Sequence, residues 1–115
     1  MIIVKRSGKN IVIPTTTSNI SEYLMDEPDI SGAVAKINGR YPEKGFAVNE
    51  QSKELVYILS GNGIIFTQSN KQSFAPGDVV FINKNEQFAW QGTFSMFMVT
   101  TPKFDPEQHI IKDNP

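Results

Sequence analysis

Cysteine is absent from this chain of 115 residues, and histidine occurs once, at position 109. The first absence excludes disulfide bonds, thiolate nucleophiles and zinc sites built on cysteine. No apolar run approaches the roughly 20 residues that a membrane-spanning helix needs. The N-terminal residues also lack the apolar core and cleavage site of a signal peptide. These absences predict a cytoplasmic protein without a membrane segment.

An excess of charge of either sign is also missing. Eleven Lys and Arg residues face twelve Asp and Glu residues, for a formal net charge of −1. A binder of nucleic acid or of an anionic membrane carries a basic patch, and no such patch is present here. Hydrophobic residues make up 39% of the chain. This length and composition predict one domain, residues 1–115, with a buried core.

Turn-forming residues recur every seven or eight positions in the second half of the chain. They are Gly61-Asn62-Gly63, Ser69-Asn70, Pro76-Gly77-Asp78, Asn83-Lys84-Asn85 and Gln91-Gly92. The segments between them, 55–59, 64–67, 79–82 and 94–99, are rich in β-branched and aromatic residues. This pattern predicts an all-β sandwich or barrel, with a hairpin at Asn62-Gly63.

The rest of the chain is less regular. We predict strands at residues 2–5, 10–13, 31–37 and 46–49, and a short N-terminal helix at 18–25 with Ser18 or Asn19 as its N-cap. Pro102 and Pro106 interrupt regular pairing, so residues 103–115 are expected to form an exposed tail or a short turn. His109 lies in this tail, and we expect it to be solvated.

Two spacings in the chain resemble the signature motifs of the cupin family. Glu54 is followed by six residues and Gly61, while Gly77 precedes Phe88 and Gly92 at the family's second-motif intervals. The resemblance covers about residues 32–102. It implies a cupin-type double-stranded β-helix, a jelly-roll barrel with a ligand cavity in its mouth. It also implies a homodimer and a divalent metal held by three His and one Glu.

The metal ligands of this family are replaced here, except for Glu54. The first two family histidines fall at Val48 and Glu50, at Ala47 and Asn49, or at Lys44 and Phe46, depending on the loop length. The last histidine falls at Phe88. A transition-metal site needs several N or O donors that converge on one ion. We therefore predict no metal and no other cofactor.

The vacated metal position is predicted to form a pocket for a small ligand. Phe88 and Trp90 alternate onto one face of a strand and would present two aromatic rings to the barrel. The ligand-binding residues that we predict are Glu54, Trp90, Phe88, Asn49, Lys44, Arg40 and Tyr41. For Glu54, the alternatives are a buried carboxyl with a raised pKa and a structural salt bridge to Lys44 or Arg40.

Three functions remain open from the sequence. The first is a metal-independent barrel that binds a polar or carbohydrate-like small molecule. The second is a metal-independent isomerase, epimerase or lyase that uses Glu54 with Tyr41, Tyr57 or Lys44 as acid and base. The third is a barrel packed solid by Phe88 and Trp90 that acts as a dimeric interaction module. Strands that are apolar on both faces, such as 79–82, predict a homodimer in each case.

Overall fold

The structure, a computed structural model, describes residues 1–11 and 15–113. These residues form nine β-strands and two short 3-10 turns, at Arg6–Gly8 and Pro106–Gln108. The strands are β1 Lys9–Ile11, β2 Ser18–Tyr23, β3 Ser31–Tyr41, β4 Phe46–Asn49, β5 Lys53–Phe66, β6 Lys71–Phe74, β7 Val79–Ile82, β8 Gln87–Thr101 and β9 His109–Lys112. Within the described ranges, no helix is long and apolar enough to cross a membrane.

Strand β8 is the centre of the architecture. It pairs antiparallel with β3 and β5 along most of its length, and its first residues also pair with β4. β3 continues to β2 and β1, β4 continues to β9, and β5 also carries β6 and β7. One sheet therefore curls around an interior, which confirms the all-β barrel that the turn spacing predicts.

Strands β5 and β8 continue through glycines at which the sequence pattern predicts turns. Gly61 has φ +83° and Gly92 has φ +143°, yet both lie inside paired strands. Because positive φ within a strand bends it without reversing it, these glycines let the two long strands turn together around the barrel. The hairpin predicted at Asn62-Gly63 and the turn predicted at Gln91-Gly92 are therefore wrong.

Two of the N-terminal predictions are wrong, and a third is confirmed in part. The segment predicted as a helix, 18–25, is mostly strand β2, because β3 offers it a full edge of backbone hydrogen bonds. Residues 2–5 are in no strand. The strand predicted at 10–13 is present as β1 over Lys9–Ile11, and its remaining positions lie outside the described residues. The described residues contain no α-helix.

Of the two alternatives that we predicted for the C-terminal segment, the short turn is present and the exposed tail is wrong. The Asp105 carboxylate caps the 3-10 turn at Pro106–Gln108 by accepting from the Glu107 backbone N–H at 3.0 Å. β9 then pairs with β4, in a register that places His109 opposite Asn49. The tail thus becomes an edge of the barrel, and it brings the single histidine into the interior.

An aromatic cluster fills one part of the interior. The ring centroids of Phe74 and Phe94 are 4.8 Å apart, and each ring lies within 5.6 Å of Trp90. Their edge-to-face and tilted contacts are the favourable geometries for aromatic pairs. Trp90 is 1% exposed. The cluster therefore fills this part of the interior as packed core.

We expect Gly61→Ala to destabilise the protein far more than Gly77→Ala, the matched control. Both glycines have φ near +90°, so both substitutions carry the left-handed penalty of about 1–2 kcal/mol. A Cβ at Gly77 would meet nothing within 4 Å, whereas one at Gly61 would lie 2.1 Å from the Thr93 carbonyl oxygen. Urea denaturation measures both losses, and equal losses would contradict the role of the close β5–β8 approach.

Candidate functional site

The barrel contains a cavity of about 630 Å³. Its walls are mainly apolar side chains from the inward faces of β2, β3 and β8, including Ile20, Ile37, Met96 and Met98. A barrel packed solid by its own side chains leaves no such volume. The barrel is therefore not packed solid, and the space is large enough for a small molecule.

A chain of hydrogen bonds forms the polar end of the cavity. The Tyr41 hydroxyl oxygen lies 2.7 Å from Nε2 of His109, and Nδ1 of His109 lies 2.7 Å from Oδ1 of Asn49. Asn49 donates from Nδ2 to Oε1 of Glu54 at 3.2 Å. Tyr41, His109 and Glu54 line the cavity, and Asn49 connects them from behind. Three titratable groups are thus linked through one amide.

Glu54 is almost completely enclosed, at 2% exposure. Its Oε2 atom is buried and has no hydrogen-bonding partner among the described residues. Burial raises the pKa of Glu54 to about 7, against a smaller lowering by the Asn49 hydrogen bond. A buried carboxyl oxygen without a partner suggests that another molecule satisfies it. The structure therefore favours the buried carboxyl of raised pKa over the salt bridge predicted as its alternative.

Burial also shifts the pKa values of the two other titratable groups, Tyr41 and His109. Burial, with a smaller contribution from the Glu54 charge, raises the pKa of Tyr41 to about 12. Burial also lowers the pKa of His109, which keeps the imidazole neutral at pH 7. A neutral imidazole has one nitrogen that donates and one that accepts. The site can therefore hold and move protons at three side chains.

Comparison with known proteins places the chain in a family. Residues 43–98 match the family model of the EutQ-like cupin domain. The chain is a cupin. No curated protein matches it by sequence.

Solved structures share this fold at low sequence identity. Pac13, described as a unique nucleoside dehydratase, superposes with a TM-score of 0.86 at 13% identity, over 98% of this cupin and 92% of that chain. Ectoine synthase from P. lautus gives 0.71 at 20% identity, over 100% and 92% of the two chains. KdgF from Halomonas sp. gives 0.72 at 12% identity, over 92% and 99%.

The residues of this cupin do not fit the metal that the family resemblance implies. Asn49 contacts Glu54, so of the possible alignments the structure favours the one that puts a family histidine at Asn49. An amide stands there, and the aromatic ring of Phe88 stands at the last histidine position. Among residues 1–11 and 15–113, no group of three or more His, Cys, Asp or Glu side chains could hold a metal ion.

Five of the seven predicted site residues line the cavity. Glu54 and Tyr41 belong to its polar end, and Phe88 and Trp90 form part of its wall. The exposed side chain of Lys44 lies at the rim. Phe88 and Trp90 are also core residues, which their 2% and 1% exposures show. They therefore serve as wall and core at once.

The other predicted residues have different places. Asn49 is buried behind the wall. Arg40 is not a cavity residue: its guanidinium stacks over the Phe66 ring at 4.9 Å and donates to the Pro42 carbonyl oxygen at 2.7 Å. Tyr57, the alternative acid or base, is 49% exposed on the outer face of β5. Side chains alternate along a strand, so Glu54 and Tyr57 cannot share a face.

Sequence reasoning missed His109 and Gln108. Both belong to the segment predicted as a tail, although it contains signals of order. An Asp-Pro pair is a common start of a helical turn, and Ile110 and Ile111 extend an apolar strand after it. Those signals indicate an ordered end of the chain. The position of His109 beside Asn49 depends on the pairing of β9 with β4, which no local signal specifies.

We predict that Glu54 makes stability fall as pH rises. Its pKa is about 7 in the folded protein against an ordinary 4.5, so its contribution is complete below pH 4.5 and is lost as pH rises through 7. The loss levels off at about 3 kcal/mol. The lowered pKa of His109 acts oppositely, increasing stability as pH rises towards 6.5.

Comparison of the wild type with Glu54→Gln separates the effect of Glu54 on the pH dependence of stability from that of His109. Urea denaturation between pH 4 and 9 should show the variant gaining stability relative to the wild type as pH rises, with the His109 effect common to both. Glu50→Gln, at an exposed position, is the matched control and should follow the wild type. A wild type and Glu54→Gln variant that respond in parallel to pH would contradict the buried carboxyl.

We also predict that the purified protein carries no stoichiometric transition metal. The donor set beside Glu54 offers an amide and an aromatic ring where imidazoles would be needed. Elemental analysis is the measurement. About one Fe, Mn, Ni or Zn per chain would show that the prediction is wrong.

Proposed function

We propose that this cupin is a metal-independent lyase or isomerase that acts by acid–base catalysis on a carbohydrate-like molecule. The observation that carries the proposal is the carboxyl of Glu54, which lines a large cavity beside the Tyr41–His109 pair and has one unpartnered oxygen. Between the functions left open by the sequence, this geometry favours the enzyme over a simple binder.

Two properties of the polar end favour an enzyme: the free-energy cost of burying the Glu54 carboxyl, and the pKa of that carboxyl. A binding protein can satisfy a polar ligand with neutral groups, without the cost of burying a carboxyl. A general acid or base acts best when its pKa lies near the working pH, and burial brings the pKa of Glu54 to about 7. A second proton carrier, the Tyr41–His109 pair, lines the same cavity. With two such groups in one cavity, one can remove a proton from the substrate while the other supplies a proton to it.

Elimination of water is one reaction that needs both a base and an acid. A base takes the proton from a carbon of the substrate, the C–H electron pair forms the new C=C bond, and the bond to a neighbouring hydroxyl breaks. The hydroxyl leaves as water after it takes a proton from the acid. Isomerisation uses the same groups but returns the proton to a different carbon. Both reactions balance without an oxidant or a metal.

The fold neighbours support a ligand with a sugar ring and a flat ring. The dehydratase that superposes over most of this chain is described as acting on nucleosides. Variants of that Streptomyces protein, with a tyrosine or a histidine replaced, are described with uridine. In the cavity described above, hydroxyl groups could reach Glu54 and Tyr41 while a flat ring packs on the apolar wall. A nucleoside is the simplest molecule that combines these parts.

We predict that uridine binds more tightly than either ribose or uracil, because each fragment reaches only one part of the cavity. Trp90 is the only tryptophan, so a fluorescence titration reports on the cavity wall. Glu54→Gln should weaken binding of uridine, whereas Tyr57→Phe, on the outer face, should not. If neither uridine nor its fragments alter Trp90 emission or give heat in calorimetry, the nucleoside-like ligand is excluded.

Catalysis is tested by incubation of nucleosides and sugar acids in D2O, followed by NMR. Proton abstraction would introduce deuterium at carbon or release water, and Glu54→Gln should abolish either signal. Binding without exchange or turnover across the panel would favour the simple binder over the enzyme.

We further propose that the protein is a cytoplasmic homodimer. Five apolar side chains form a continuous exposed patch on the outer face of β5, β7 and β8. Leu55 lies opposite Phe81, and Tyr57 lies between Val79 and Phe97, with exposures between 36% and 59%. Exposed apolar patches of this kind mark interaction sites. A two-fold axis would place the same patch of two copies against each other and bury both.

Light scattering at high concentration should therefore give the mass of a dimer. Phe81→Lys would place a charge in the patch and should give monomers. Ile64→Lys is the matched control, because Ile64 is an exposed apolar residue of β5 beyond its bend. A wild type that stays monomeric at every concentration would contradict the dimer.

A further inference from the structure

We infer that Gln108 sets the order of protons in the site, so that the Tyr41–His109 pair serves as the base and Glu54 as the acid. Gln108 is a positioning residue in this inference, since it does not line the cavity. The assignment of acid and base rests on the proposed function, whereas the order of protons rests on hydrogen bonds alone.

The orientation of the Gln108 amide comes from the backbone. Its Oε1 atom accepts from the backbone N–H groups of Gln51 at 3.0 Å and Ser52 at 3.1 Å. Backbone N–H groups only donate, so the atom that faces them must be the carbonyl oxygen. The Nε2 group therefore points the other way, towards Asn49, with Oδ1 of Asn49 at 3.3 Å.

The orientation of Asn49 follows from that of Gln108. Because Nε2 of Gln108 only donates, the Asn49 atom that faces it must be the oxygen, Oδ1. The Nδ2 group of Asn49 is then left to donate to Oε1 of Glu54. Asn49 is 0% exposed, so solvent cannot satisfy a reversed amide. Reversal would put two donors against each other at Gln108, at the cost of buried unsatisfied groups.

The tautomer of His109 is determined by the same oxygen. Nδ1 of His109 lies 2.7 Å from Oδ1 of Asn49, which only accepts, so Nδ1 carries the proton. In a neutral imidazole Nε2 then lacks a proton and accepts. The Tyr41 hydroxyl, 2.7 Å away, must therefore donate to Nε2. The three hydrogen bonds that lead from Gln108 through Asn49 and His109 to Tyr41 are thus ordered by two backbone N–H groups, as is the branch from Asn49 to Glu54.

This order decides which group removes a proton and which supplies one. The Tyr41 oxygen can take a proton from the substrate while its own proton moves to Nε2 of His109. The resulting imidazolium keeps its Nδ1–H bond to Asn49. On Glu54, Oε1 is occupied as an acceptor from Asn49, so the acid proton lies on Oε2. Oε2 can then give that proton to the leaving hydroxyl.

The test is the tautomer of His109, measured by 15N NMR of the whole protein. His109 is the only histidine, so its two ring nitrogens can be assigned without ambiguity. The wild type should show a protonated Nδ1 and an unprotonated Nε2, the reverse of the tautomer that free neutral histidine prefers. An Nε2–H tautomer, or a rapidly exchanging average, would overturn the inference.

Gln108→Glu tests the source of the order. The new carboxylate still accepts from the backbone of Gln51 and Ser52, but it presents an acceptor to Asn49. The Asn49 amide should then reverse, which presents Nδ2 to His109 and moves the ring proton from Nδ1 to Nε2. Glu107→Gln, an exposed neighbour, is the matched control and should keep the wild-type tautomer. A folded Gln108→Glu variant with an unchanged tautomer would show that Gln108 does not set the order.

A second variant keeps the test decisive if Gln108→Glu does not fold. Asn49→Asp keeps the acceptor that faces His109 and loses the donor that faces Glu54, so Nδ1 should stay protonated whether the ring is neutral or charged. An unprotonated Nδ1 in folded Asn49→Asp would overturn the inference. The two proposals remain distinguishable, because a correct tautomer without turnover of any nucleoside or sugar acid would refute the proposed function alone.

Discussion

The pairing of β5 with β8 is the constraint on which the other features depend. These strands run antiparallel from Lys53 opposite Thr101 to Phe66 opposite Ala89, and they bend together at glycines whose Cβ positions are occupied by the neighbouring backbone. Without the bend, two strands of this length would continue as an open twisted ribbon that encloses no interior. With it, Glu54 and Trp90 both face one cavity.

The buried amide of Asn49 has a similar place in the chemistry. It stands where a metal-binding cupin has an imidazole, and it converts a position for a metal ligand into a connection between Glu54 and His109. An amide is suited to this, since it donates at one atom and accepts at the other. The order of protons along this chain depends on this single side chain and on Gln108 behind it.

Much of the fold was predictable because its signals are local. The strand at 79–82 matches β7, and 46–49 matches β4, because short apolar runs between turn residues specify strands. The wrong predictions of a hairpin at Asn62-Gly63 and of a helix capped by Ser18 share one cause. The Asn62-Gly63 turn signal and the Ser18 N-cap signal are worth a fraction of the pairing energy that β8 and β3 supply, so the long-range ladder prevailed over local preference.

The sequence by itself determined an all-β barrel and the inward aromatic wall at Phe88 and Trp90, and its resemblance to the cupin motifs added the barrel type and the one retained family glutamate, Glu54. These follow from spacing and from the alternation of side chains, which are properties of neighbouring residues. Only the tertiary structure decided the pairing of β9 with β4, and with it the contact between His109 and Asn49, residues 60 positions apart. It also decided that Arg40 lies outside the cavity, with its guanidinium over the Phe66 ring. Such contacts depend on how distant strands pair, and that free energy is absent from any local stretch of the chain.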